Sequence, residues 1–138
     1  MQIKFTIDEN HLIRGFSYHD GMLTGVFDEG KDKALIVRND AGETLWLRFV
    51  GASHFLVNHF LSGNIVSEIF LWRMSDKDLP RDRLARFLEE VGFANVDQST
   101  MDKLIDGSQG GYFAMIECSY GAEVGVVCAD VVVERAPD

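Results

Sequence analysis

The sequence predicts an α+β fold: a mostly antiparallel sheet of about six to seven strands, with two helices inserted before a C-terminal β-hairpin. Three observations predict it. Apolar runs of strand length, punctuated by Gly, Asn and Asp, fill the first half and the last third of the chain. Residues 81–91 repeat their apolar side chains with helical period. The pair Gly121-Ala122 separates two long apolar runs near the end, as a hairpin turn does. At 138 residues the chain has the length of one domain, 1–138, able to bury a core without disulfides or metal staples.

In chain order, residues 1–7 alternate as a short strand and close in Asp8-Glu9-Asn10. Residues 22–27 form the next strand, ended by the turn residues Asp28-Glu29-Gly30-Lys31. Residues 33–50 read as a hairpin around Asn39-Asp40-Ala41-Gly42. A four-residue loop there sets Arg38 opposite Glu43 and places Ala34, Ile36, Leu45, Leu47 and Phe49 on one face. Leu35, Val37, Trp46 and Arg48 then share the other face, so both sides of the sheet are at least partly covered. Residues 51–64 fit a buried strand and a short helix equally well, and their conformation stays open. Residues 65–72 are again a strand.

The first helix carries Leu84, Phe87, Leu88 and Val91 at i, i+3, i+4 and i+7, with Pro80 before it and Gly92 after it. A second, shorter helix is expected with Ser99 as N-cap, Asp102 capping back, and Met101, Leu104 and Ile105 buried. The Gly-rich run 106–111 then connects to the terminal hairpin, 112–120 and 123–134. A two-residue turn there sets Tyr120 opposite Glu123 and Ile116 opposite Val127, which puts Cys118 and Cys128 on opposite faces. Both cysteines are therefore expected as free thiols in a reducing compartment.

Composition narrows the function. Hydrophobic residues make up 46% and charged residues 25%, the balance of a globular chain. No apolar run approaches the roughly 20 residues that cross a bilayer, and the start reads as a strand, so a cytoplasmic protein without a membrane anchor is expected. Twenty-two acidic residues against 13 basic ones give a net charge of −9. That field repels phosphate backbones, which argues against nucleic acid, and attracts a basic protein.

Tyr18-His19-Asp20 is the one short cluster suited to acid–base work, because a carboxylate beside an imidazole orients it and raises its pKa. Its structural reading is a turn before Gly21, and no nucleophile motif accompanies it. The four histidines, His11, His19, His54 and His59, show no ligand spacing, so no metal and no cofactor is expected. The arginines at 81, 83 and 86 sit among acidic residues, as on a solvated helix face. Tyr18, Trp46, Trp72, Tyr120 and Glu123 are the candidate binding residues, chosen from aromatics suited to grooves or interfaces and from the terminal turn.

Tyr18-His19-Asp20, Gly63-Asn64-Ile65 and Ser119-Tyr120-Gly121-Ala122-Glu123 together resemble a family of small bacterial proteins without an assigned activity. That family carries a Phe-His-Asp-like element near the start and a Ser-Tyr-Gly-Ala-Glu-like hairpin near the end. This chain has Tyr18 where phenylalanine is expected and Gly21 where serine is usual. The resemblance implies a shared fold and no mechanism. Size and acidity also resemble the immunity proteins of bacterial toxin systems, an analogy of class only. The expected function is a small interaction or binding module with a protein partner of basic character, or one that pairs with a second copy as a homodimer. The alternative is a small hydrolase using His19 and Asp20, which requires that pair to share a cleft with His54, His59 or a cysteine.

Overall fold

The computed structural model describes residues 1–92 and 96–136. Its elements in the first half are β1 (Gln2–Ile3), β2 (Thr6–Ile7), β3 (Ile13–Arg14), β4 (Met22–Glu29), β5 (Asp32–Arg38), β6 (Thr44–Val50), β7 (His54–Asn58) and β8 (Asn64–Arg73). They are followed by α1 (Arg81–Glu90), α2 (Gln98–Gly107), β9 (Tyr112–Tyr120), β10 (Glu123–Cys128) and β11 (Asp130–Arg135). The fold is α+β with a mainly antiparallel sheet, but that sheet has nine strands, in the order β1-β11-β6-β5-β4-β8-β9-β10-β7, rather than six to seven. A separate ribbon joins β2 to β3.

The extra strands arise where the chain bends. Residues 123–135 look continuous in the sequence but break at Ala129, and 44–58 break at residues 51–53. The two bent runs pair with each other on both sides of the corner: β10 with β7, Val127 opposite His54, and β11 with β6, Asp130 opposite Val50. At the corner itself the Ala129 N–H donates to the Val50 carbonyl and the Ser53 N–H to that of Val127. Gly51, at φ +61°, makes the bend possible. Because each bent run belongs to both halves of the strand order, the sheet folds back on itself here as a barrel, whose far side is joined between β4 and β8 only at Met22–Ile65 and Leu23–Asn64.

Period-two patterning fills the barrel. Leu45, Leu47 and Phe49 of β6 are buried while Trp46 and Arg48 are outside. Leu35, Val37, Val66, Ile69, Ala114, Val124 and Val126 complete the inner core. The helices pack on the outer face of β8, β9 and β10 through a second core of Trp72, Met74, Leu84, Phe87, Leu88 and Phe113. Strand β7 settles the open segment 51–64: it is the last strand of the sheet, and the helical reading fails there.

Both hairpin registers differ from expectation, and loop chemistry gives the reason. In β5–β6, Asn39 pairs with Glu43 by backbone, its side chain accepts the Glu43 N–H at 3.0 Å, and Gly42 sits at φ +81°. The loop is thus three residues, Arg38 faces Thr44, and Leu35 and Val37 share the inner face with Leu45 and Leu47. In β9–β10, Glu123 faces Glu117 and Ile116 faces Val124, because residues 118–120 of β9 extend past β10 and pair with β8 instead. That shift is odd in number, so it reverses the face assigned to Cys128. Cys118 and Cys128 both pack against the inner core. They are free thiols, as expected, but because Cys128 faces Tyr112, six residues along β9 from Cys118, or roughly 20 Å. In α2 the N-cap is Asp97, which accepts the Thr100 N–H at 2.8 Å, while Asp102 binds Arg81 of α1.

Candidate functional site

Three segments meet at the start of β8. Asn64 is fully buried, and its Oδ1 accepts the N–H groups of Leu61 and Ala122 while its Nδ2 donates to the carbonyls of Leu23 and Leu61. Gly121, at φ +90°, lies so close that a Cβ there would collide with the Asn64 amide. Residues 18–21 dock beside it: the Asp20 N–H donates to the Val66 carbonyl, and the Val66 N–H to that of Gly21. Tyr18 is buried, its hydroxyl donating to the Ile13 carbonyl. The motif residues 18–20, 63–65 and 119–123 thus converge on one knot of hydrogen bonds.

His19 and Asp20 stand outside that knot, both largely exposed, with Nε2 3.7 Å from the carboxylate. His19 Nδ1 lies 2.8 Å from the Ser67 carbonyl. That carbonyl, and then Asp20, raise the His19 pKa above its ordinary value. The protonated imidazole is therefore favoured by the fold. Any stability it contributes is complete below the unfolded pKa and disappears as pH rises through the folded one. An NMR titration should find His19 above about 6.5, and Asp20→Asn should lower it while leaving the Ser67 contribution in place.

A concavity lies elsewhere, between α1 and strands β7, β9 and β10. It has a volume of about 400 Å³. Leu56, Phe87 and Met115 supply its apolar surface, and Gly125 lets the Phe87 ring rest on the strand backbone. The charged rim is Arg83, Arg86, Glu90, Glu117 and Glu123. Arg83 reaches Glu117 at 3.5 Å and lies over the Phe70 ring, and Asn58 donates to Glu90 at 3.0 Å. Arg86 and Glu123 have no ion-pair partner among the described residues. Cys118 borders the groove, with burial pushing its thiol up to about 11, so it is a poor nucleophile at neutral pH. Cys128 is pushed further, to about 12, for the same reason.

Of the candidates from sequence, Glu123 lines the groove and Trp72 is buried beneath the helices. Trp46 lies on the outer barrel face, stacked on Phe27 at 5.2 Å with the Arg48 guanidinium 4.7 Å from its ring centroid. Tyr120 is 54% exposed at the far end of β9. His19 and Asp20 are not among the groove's lining residues, and neither are His54 and His59. Sequence reasoning missed Leu56, Phe87, Arg86 and Gly125. The available signal was Gly125, a lone glycine in the valine-rich run 124–127, which marks a close approach.

His11, Asp76 and Asp78 form the one group of metal-ligand type among the described residues. Each ring nitrogen of His11 faces a different carboxylate, at 3.7 and 3.9 Å, and the ring lies beside Trp72. No helix of the described residues is long and apolar enough to cross a membrane.

Fold and groove together define the class: an α+β protein with a closed sheet and an amphipathic groove outside it. Compared with family models, curated proteins and solved structures, the chain matches none of them.

Proposed function

We propose that this chain is a cytoplasmic binding module that recognises a basic segment of a protein partner in the groove beneath α1, a role of the immunity-protein type. The observation that carries this reading is the groove's chemistry: an apolar floor bordered by an uncommitted carboxylate, Glu123, and an uncommitted guanidinium, Arg86. A Lys or Arg of the partner meets Glu123, a neighbouring apolar side chain fills the floor, and Arg86 donates to a peptide carbonyl. The net charge of −9 steers such a segment inward and makes its capture salt-sensitive.

Hydrolysis by His19 and Asp20 is the alternative. It draws on their 3.7 Å contact alone, outside the groove.

The test is an amide NMR titration with a blocked Leu-Lys-Leu tripeptide. Shifts at Glu123, Val124 and Gly125 that vanish in Glu123→Lys are the expected result. Equal shifts with Leu-Glu-Leu, or none at these residues, would refute the proposal.

A further inference from the structure

Apart from Met1, the large apolar side chains that are exposed among the described residues are Met22, Val26, Phe27, Phe60, Leu61 and Tyr120. All of them but Phe60 gather around one strand. Met22, Val26 and Phe27 belong to β4. Met22 faces Ile65 of β8, which in turn faces Tyr120 of β9. Leu61 is tied to Leu23 of β4 through the Asn64 amide. Strand β4 pairs with β5 along its length but with β8 only at Met22 and Leu23. Beyond those two residues, among the described residues, Thr24–Glu29 has a neighbouring strand on one side only. An apolar cluster along an unpaired strand edge is the surface that accepts another strand.

From this edge we infer that two copies of the chain associate by antiparallel pairing of β4 with β4, independently of the groove. Charge at the edge decides the occupant. Asp28 is held by Lys33 and Glu29 by Arg48, so the carboxylates of the edge are already neutralised and do not call for a basic strand. The sequence is also compatible with itself in this orientation. A two-fold axis at Val26 brings the two Val26 side chains together and sets Phe27 beside Gly25 of the other copy, which has no side chain of its own and is flanked by the Ile36 and Phe27 side chains of its own copy. Asp28 then lies beside Thr24, so no carboxylate faces a carboxylate across the interface. The remaining opposition is the long-range repulsion of two chains of charge −9, which salt screens.

Sedimentation equilibrium of the full chain, at about 0.05 M and about 0.5 M salt, tests the inference, since the Debye length falls severalfold across that range. A dimer that tightens as salt rises is expected. Val26→Lys and Phe27→Lys should each weaken it roughly tenfold or more by placing a charge on the edge, while Phe60→Ser, off the strand, leaves it unchanged. Circular dichroism confirms the fold of each variant, and Val26→Lys serves if Phe27→Lys disturbs the Trp46 stack. A chain that stays monomeric at both salts overturns the inference, as does a dimer indifferent to both edge variants. Either outcome leaves the groove reading intact, because tripeptide binding is measured on the opposite charge response and at different residues.

Discussion

Asn64→Ala should destabilise the protein by about 3–5 kcal/mol. The side chain is 0% exposed and makes four hydrogen bonds to backbone groups of three separate segments. Alanine removes the acceptor of the buried Ala122 N–H and of the Leu61 N–H, and the amide donor to the Leu23 and Leu61 carbonyls. Each unsatisfied buried group costs about 1–3 kcal/mol, and water cannot readily follow into a site this enclosed. Asn64→Asp should be no milder, since a carboxylate would face the Leu23 and Leu61 carbonyls in place of an amide donor. Urea unfolding followed by far-UV circular dichroism measures the loss. Gly121→Ala provides the independent check, as its Cβ would both clash with the same amide and strain a backbone at φ +90°. A midpoint shift within error for Asn64→Ala would remove the knot from any account of this fold.

That knot shows where sequence reading succeeds and where it stops. Periodicity found α1 because Leu84, Phe87 and Leu88 lie on one stripe, and those three side chains are the ones it buries. It found the β5–β6 hairpin for the same kind of reason. It did not find the registers, because each depends on a hydrogen bond that composition does not reveal: the Asn39 amide closing its loop, and β9 running on to pair with β8. A side-chain period of two makes such errors costly, since every odd slip exchanges the two faces. The barrel was invisible for a related reason. Closure is a property of bends at Gly51 and Ala129, and a bent strand carries the same alternation as a straight one.

The candidate site was less legible than the fold. Glu123 was singled out from the turn that carries it and does border the groove, but the groove's floor comes from four elements distant in sequence. Leu56, Phe87 and Met115 each have an ordinary core pattern. Only assembly of α1 on the sheet turns them into a binding surface. Tyr18 and Trp72, aromatic residues suggestive of a binding face, are buried. Trp46 and Tyr120 remain accessible to different degrees, one beside the β4 edge and one at its far end, because the barrel's outer face is covered by helices only over β8, β9 and β10. The physical division is therefore between the helix-covered half of the shell, which makes the groove, and the bare half, which presents the apolar edge.

Gly125→Val should have the second large effect and should separate folding from binding. Gly125 lies in β10 between Val124 and Val126, and the Phe87 ring occupies the space its side chain would take. The barrel strand cannot retreat, because Gly125 pairs with Met115 on one side and Leu56 on the other. The ring must therefore move, and with it the only aromatic anchor of α1. Leu84 and Leu88 are fully buried on the same stripe and resist the displacement, so overpacking is distributed over the whole helix contact. A loss of about 2–4 kcal/mol is expected, together with a change in the shape of the groove that Phe87 lines. Phe87→Ala removes the ring instead of displacing it. It should cost about 3–5 kcal/mol by cavity formation while widening the groove. The double variant Gly125→Val with Phe87→Ala relieves the clash, so its destabilisation should fall below the sum of the two single changes. Urea midpoints for the three variants measure that coupling, and the Leu-Lys-Leu titration reports on the groove in each. Additive costs would mean that Phe87 and Gly125 act separately and that α1 is seated by its leucines alone.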